Sequence, residues 1–159
     1  MVASASLRIA CGFELVTNPS GSACETQSQI HVNAQASATF VEGCVLEACV
    51  AWDENFVLFA TDGFDYEDFL NIHLLDAQLN ILDSASIGMP YASGSLGHLT
   101  LQAPDALHFC FPSQVAWRLS LFHSPHWRVP LLSEPAGVWR RFSLKRHFSL
   151  ERLPDESVS

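Results

Sequence analysis

The sequence contains seven histidines and five cysteines, the residues that could take part in the most kinds of chemistry. Imidazoles and thiolates bind metals, transfer protons and attack electrophiles. The patterns that mark a phosphate loop, a dinucleotide-binding turn, a nucleophile elbow or a zinc protease do not occur in it. Any chemistry must therefore come from side chains that the fold brings together. The predicted strands decide which of them meet.

The segment 94–122 has the clearest strand pattern of the chain. Its large apolar residues fall on odd positions and its polar residues on even ones, a period of two that is typical of strands with one buried face. The odd positions hold Leu99, Leu101, Leu107, Phe109, Phe111, Val115, Trp117, Leu119 and Leu121.

Two predicted turns set the register of three strands in this segment. A turn at Pro104 places Leu99 opposite Phe109, because antiparallel partners lie at equal distances from the turn. A second turn at Ser113 places Phe109 opposite Trp117 in the same way. We therefore expect Leu99, Phe109 and Trp117 to form one apolar row across the sheet.

The same register brings four candidate ligand contacts together on the polar face. His98 lies opposite Cys110. His108 lies opposite Arg118. Zinc takes imidazole and thiolate ligands, but it needs three or four that converge on one point, and a guanidinium beside an imidazole opposes a bound cation. We therefore predict solvent-facing or hydrogen-bonded histidines and expect neither a metal nor another cofactor.

A second group of candidate contacts follows, in the turn of residues 123–128. An aromatic ring beside a guanidinium suits a carboxylate or a sugar, which makes Trp127 and Arg128 candidate ligand contacts. Trp127 also suits the core, and core packing is the interpretation we favour. Cys44 and Cys49 stand in an apolar run, where thiols are usually inert packing residues.

The charges of the chain are divided between its two ends. The net charge is −9, and between Arg8 and Arg118 thirteen acidic residues occur with no lysine or arginine. From Arg118 to Arg152 seven basic residues occur with two acidic ones. The long acidic part would repel phosphate, so we do not expect a nucleic-acid partner. The basic strand is expected to lie beside acidic strands of the same fold, or against the acidic face of a second copy.

Two short segments are candidate interaction sites because of this division. Acidic residues form a cluster that lacks the spacing of a calcium-binding loop, so we interpret it as a solvated turn or a helix start. The cluster comprises Asp62, Asp65, Glu67 and Asp68. The basic candidates are Arg141, Lys145 and His147, on the polar face of a predicted edge strand in which Arg146 stands on the apolar side.

Length and composition indicate one folded domain. A chain of 159 residues with 48% hydrophobic side chains can bury a core without disulfides or a structural metal. The odd number of cysteines excludes a complete disulfide framework, although a Cys11–Cys24 bridge is possible in an exported protein. We find neither a signal peptide nor an apolar run long enough to span a membrane, and so expect an unprocessed, cytoplasmic protein without a membrane partner.

The recurrent strand-and-turn pattern predicts an all-β fold. We expect an antiparallel meander of about eight to ten short strands, closed as a barrel or packed as a sandwich. At most one short helix is expected, over 65–79, where a strand is the favoured alternative. Residues 1–36 are predicted to be loosely ordered with one strand, 37–153 to form the β domain, and 154–159 to be a flexible tail.

The function that fits these features is interaction rather than catalysis. The absence of catalytic motifs and the high aromatic content favour a β domain that binds a protein partner, a second copy of itself or a small apolar ligand. The alternative is a small barrel-type hydrolase or isomerase that uses histidine and carboxylate groups as acid and base.

Overall fold

The computed structural model describes residues 6–17, 27–62, 68–88, 94–127, 134–140 and 145–154. These residues form thirteen strands and no helix, so the all-β prediction is confirmed. The strands are β1 (Leu7–Ile9), β2 (Phe13–Thr17), β3 (Gln27–Val32), β4 (Gln35–Glu42), β5 (Val45–Trp52), β6 (Asn55–Thr61), β7 (Leu70–Leu75), β8 (Ile81–Ile87), β9 (Gly97–Gln102), β10 (Ala106–Cys110), β11 (Ala116–Trp127), β12 (Val138–Trp139) and β13 (Lys145–Arg152). No helix in the described ranges is long and apolar enough to cross a membrane.

The strands form three antiparallel sheets. The central sheet has six strands in the order β1-β5-β6-β7-β8-β12. The C-terminal sheet has the order β13-β11-β10-β9, and the N-terminal sheet has the order β2-β3-β4. The sheets are packed as a sandwich and are not closed as a barrel, which decides between the two predicted architectures.

The main core lies between the central and the C-terminal sheets. Phe59 of β6 meets Phe109 of β10 edge to face, with ring centroids 5.3 Å apart. Trp117 of β11 is fully buried, and its indole Nε1 donates to the carbonyl oxygen of Phe111 at 2.8 Å. Because Trp117 is both large and hydrogen-bonded, it fixes the packing of β11 against its neighbours.

A second, smaller core lies on the opposite face of the central sheet. There Ile30 and Val41 of the N-terminal sheet pack against Cys49, Leu58 and Leu75. The central sheet is therefore covered on both faces over part of its area. This explains why all six residues of β7 are buried, although the sequence shows polar residues at two of them.

The register predicted for β10 and β11 is confirmed. Phe109 lies opposite Trp117, and His108 lies opposite Arg118. The hairpin of β9 and β10 follows the prediction only as far as His108, after which the pairing shifts by one residue. His98 has a φ of 51°, a left-handed conformation that inserts an irregularity in β9. Cys110 consequently lies opposite Gly97 and not opposite His98, which corrects the predicted pair.

The sequence before β4 contains more regular structure than predicted. Three strands lie within the first 36 residues, where we expect one. The N-terminal sheet buries one face only, so alternate positions suffice to carry its apolar side chains. The polar residues between these apolar positions make the strands difficult to recognise in the sequence. In the ambiguous region 65–79, the residues from 70 to 75 form a strand, as favoured, and residues 65–67 lie outside the described ranges.

Candidate ligand-binding groove

A groove of about 470 Å³ lies where β4 of the N-terminal sheet faces β8 and β12 of the central sheet. Three of its lining side chains are large, apolar and exposed: Phe40 at 42%, Ile81 at 45% and Trp139 at 65%. Its volume lies within the range of small-molecule sites, roughly 300–1,000 Å³. Polar side chains lie between these apolar walls.

Strand β8 forms the floor of the groove because its side chains alternate between two faces. Asp83, Ala85 and Ile87 are buried on the side of the C-terminal sheet. Ser84 and Ser86 point to the other face and line the groove. The pairing of neighbouring strands sets Ser84 beside His73 of β7, and Ser86 lies between Asn71 of β7 and Trp139 of β12.

His73 is the buried histidine of the floor, with 3% of its surface exposed. Its Nε2 lies 2.9 Å from the carbonyl oxygen of Glu42, and its Nδ1 lies 2.8 Å from Oγ of Ser84. A carbonyl oxygen only accepts hydrogen bonds, so Nε2 carries the hydrogen. In the neutral ring Nδ1 then accepts from the hydroxyl of Ser84.

Asn71 accepts the hydroxyl hydrogen of Ser86, as His73 accepts that of Ser84. The amide Nδ2 of Asn71 donates to Oδ1 of Asp62 at 2.9 Å, and the hydroxyl of Ser86 donates to Oδ1 of Asn71 at 2.8 Å. Asp62 in turn donates its backbone N–H to Oδ1 of Asp68 at 2.9 Å. The floor is thus held by two hydrogen-bonded chains that begin at buried strand β7.

Arg140 closes one end of the groove and attaches the short strand β12 to the rest of the fold. Its Nη1 lies 2.8 Å from Oδ2 of Asp83, and its Nε lies 2.8 Å from Oε1 of Glu134. Its Nη2 donates to the carbonyl oxygen of Phe148 at 2.8 Å. The side chains of Arg140 and Asp83 are 2% and 5% exposed, so these contacts lie in a low-dielectric environment.

A second buried cation completes this group. Arg146 of β13 is 1% exposed, and its Nε lies 3.3 Å from Oε1 of Glu134. Oδ2 of Asp83 also accepts from the backbone N–H of His147 at 2.9 Å. The predicted placement of Arg146 on the apolar side of the strand is confirmed. Among the described residues, these two cations and two carboxylates balance in charge.

The four ligand contacts predicted on the C-terminal sheet are only partly brought together. His108 and Arg118 are cross-strand neighbours, as predicted, while His98 is exposed and displaced by the register shift. Cys110 shares a sheet face with His108, but it is 3% exposed, so its thiol is packed. Within the described part of the chain, no three histidine, cysteine or acidic side chains form a group that would hold a metal ion.

Trp127 is not a core residue, which corrects the favoured interpretation. It is 71% exposed, because β11 continues beyond the main core after Phe122. Lys145 places its Nζ 5.2 Å from the centre of the Trp127 ring. Arg128 lies outside the described ranges, and the role of Trp127 in ligand binding stays a prediction.

The predicted interaction residues are also divided. Asp68 is 8% exposed, so this end of the acidic segment is packed and not solvated. Lys145 is exposed and His147 half-buried on edge strand β13. Asp62 is half-buried and accepts a hydrogen bond from the amide of Asn71. The remaining three, Asp65, Glu67 and Arg141, lie outside the described residues. Binding of a protein partner or a second copy at these residues stays a prediction.

The cysteine environments lead to a labelling prediction. Burial raises the pKa of the Cys49 thiol to about 12, and burial together with the Asp62 carboxylate raises that of Cys44. Cys11 is exposed. Since the thiolate is the reactive form, iodoacetamide at about pH 8 should alkylate Cys11 and spare Cys49 in the folded protein. Mass spectrometry of Glu-C peptides measures this, and equal labelling of both thiols would contradict the packing described for Cys49.

A second cavity, of about 510 Å³, lies at one end of the sandwich and gathers acidic and imidazole side chains. Its lining includes His123, His147, Asp53 and Glu54. The ring of His123 lies against Trp52 with centroids 5.0 Å apart, and its Nε2 is 3.9 Å from Oδ2 of Asp105. The two side chains are 63% and 38% exposed, so the contact between them is weak.

Sequence reasoning did not identify the groove residues His73, Ser84, Ser86, Asn71 and Trp139 as a site. Counting outward from a turn over residues 76–80 pairs His73 with Asp83 and puts Ser84 on the opposite face of the sheet. An irregularity between Leu74 and Leu75 shifts the observed partner of His73 to Ser84, so the sequence carries no signal for this pair. Comparison with known proteins adds no further assignment: no family model, no curated protein and no solved structure matches this chain.

Proposed function

We propose that this protein is a non-enzymatic binding domain that holds a small, neutral, amphipathic molecule in the groove between β4, β8 and β12. The observation that carries the proposal is the combination of three exposed apolar walls with a floor of two serine hydroxyls. Apolar walls with a few placed polar groups are typical of small-molecule sites. Exposed apolar side chains in one concavity also favour ligand binding, because a ligand that covers them removes apolar surface from water.

The charges around the groove favour an uncharged ligand. The charged residues that border it are Glu42, Asp83 and Arg140. The side chains of Arg140 and Asp83 are buried and paired with each other at 2.8 Å, and the carboxylate of Glu42 would repel an anion. A charged ligand would have to break that buried pair to gain a charged partner from it, which is costly. The net charge of −9 further disfavours anions by long-range repulsion.

The experiment uses a panel of neutral aryl glycosides, the 4-methylumbelliferyl glucoside, galactoside, mannoside, xyloside and N-acetylglucosaminide. Each carries a flat apolar ring for the walls and neutral hydroxyls for the floor. We expect isothermal titration calorimetry to detect saturable binding of at least one of them to the wild-type protein. Failure of all five to bind saturably would overturn the proposal.

Trp139→Ala is expected to weaken binding of the retained glycoside by about tenfold or more, because an exposed aromatic platform contributes roughly 1–3 kcal/mol of contact energy. The matched control is Trp127→Ala, since Trp127 is also highly exposed but does not line the groove. Equal losses in the two variants would place the binding site elsewhere.

The alternative is hydrolysis at the second cavity, where His123 and His147 lie with Asp53 and Glu54. A histidine and a carboxylate in one concavity are the groups that acid–base catalysis needs. The same glycosides report on it, because hydrolysis releases fluorescent 4-methylumbelliferone. Steady release that disappears in His123→Ala and His147→Ala would favour the enzyme over the binding domain.

A further inference from the structure

We infer that the floor of the groove is a pair of hydrogen-bond acceptors and that its ligand is a neutral polyhydroxyl compound, of the sugar class, which donates to both. This inference rests on the proposed function and specifies the ligand. It follows from the direction of the hydrogen bonds beneath Ser84 and Ser86, since each hydroxyl has one hydrogen to donate.

The direction at Ser84 is set by a backbone carbonyl. Nε2 of His73 faces the carbonyl oxygen of Glu42, which obliges that nitrogen to donate and leaves Nδ1 of the neutral ring as an acceptor. The hydroxyl hydrogen of Ser84 is therefore directed to Nδ1, at an O···N distance of 2.8 Å. Toward the groove, Oγ of Ser84 has lone pairs and no hydrogen.

The direction at Ser86 is set by a carboxylate. Asp62 can only accept, so the amide of Asn71 must present its NH₂ group there and its Oδ1 to Ser86. The hydroxyl of Ser86 donates to that oxygen at 2.8 Å. Its remaining lone pairs also face the groove. Two independent chains of hydrogen bonds, one that starts at a carbonyl and one that starts at a carboxylate, thus leave both serine hydroxyls as acceptors toward the groove.

The spacing of the two acceptors limits the ligand further. Ser84 and Ser86 are two positions apart on one strand, which places their side chains about 7 Å from each other. Trp139 pairs with Ser86 across the sheet, so its ring stands beside the second acceptor. A pyranose ring is rigid, presents hydroxyl donors on its edge and packs its C–H face on an indole. A hydrocarbon or a fatty acyl chain would leave both acceptors unsatisfied.

The test compares a bound aryl glycoside with its fully O-methylated derivative, which keeps the ring and the acceptor oxygens but has no hydroxyl donor. Loss of two hydrogen bonds is expected to weaken binding to the wild-type protein by about tenfold to a hundredfold. Equal affinity for the two compounds overturns the inference and leaves the proposed function standing. If neither compound binds, both fall together.

Two variants assign the effect to the floor. Ser84→Ala and Ser86→Ala are each expected to weaken binding of the glycoside by about three- to tenfold, and neither should change the affinity for the methylated derivative. Ser120→Ala, on the C-terminal sheet and outside the groove lining, is the control. Ser84→Ala removes the hydroxyl that donates to buried His73, so circular dichroism is used to check that this variant folds. The wild-type comparison and Ser86→Ala decide the result if that variant unfolds.

Discussion

Arg140→Met is expected to lower the free energy of unfolding by about 3–5 kcal/mol, the usual cost of removing one partner from a buried ion pair. The change leaves the carboxylates of Asp83 and Glu134 without the cation that lies 2.8 Å from each. It also removes the donor to the Phe148 carbonyl and the guanidinium that stands 4.5 Å over the Phe148 ring. For a chain of this length we expect a melting temperature lower by roughly 10 °C or more, measured by differential scanning calorimetry.

Arg118→Met is the matched control, because Arg118 is exposed on β11 and its removal should change stability by less than about 1 kcal/mol. A second comparison isolates the buried charge. Adding Asp83→Asn to Arg140→Met removes one orphaned carboxylate and keeps its oxygen as an acceptor for the His147 N–H, so the double variant should recover part of the loss. Purely additive losses would contradict the ion-pair explanation.

Trp117→Ala is expected to destabilise the protein by about 3–5 kcal/mol, as is typical when a fully buried aromatic side chain is truncated. The variant opens a cavity in the main core and leaves the carbonyl oxygen of Phe111 without its indole donor. Urea unfolding followed by tryptophan fluorescence measures the change. Trp117→Phe should recover most of the packing and lose only the hydrogen bond, about 1 kcal/mol.

The control for this prediction is Trp127→Ala, whose side chain is 71% exposed. We expect its free energy of unfolding to stay within about 0.5 kcal/mol of the wild type. The two tryptophans lie on the same strand, ten residues apart, so any general effect of tryptophan loss on β11 would appear in both variants. Comparable losses would show that Trp117 does not carry the packing energy assigned to it.

The part of the fold that could be predicted depends on local pattern. The register of β10 and β11 follows from a period of two that continues through a short turn, and all five of their paired positions agree with it. The failure at β9 has a local cause as well. Only a backbone irregularity at His98, with φ of 51°, separates the predicted register from the observed one. Histidine is enriched among residues with positive φ, but such residues are so uncommon that this enrichment does not locate the irregularity in a sequence.

The groove could not be predicted because it depends on the packing of a third layer. Asn71 and His73 occupy the polar positions of β7, and the alternation of the sequence assigns them to solvent. They are buried because the N-terminal sheet, whose own strand signal is weak, covers much of that face. The pairing of Asp83 with Arg140 joins residues 57 positions apart, a distance over which neither periodicity nor turn chemistry carries information.

The central sheet lies between the other two sheets, and this position also determines how the protein unfolds. Along β6, Val57 and Phe59 belong to the main core, whereas Leu58 between them belongs to the second core. One strand therefore takes part in two hydrophobic layers, and neither layer can separate without disturbing the backbone that supports the other. We therefore expect thermal unfolding to involve all three sheets as a single cooperative unit, with calorimetric and van't Hoff enthalpies that agree.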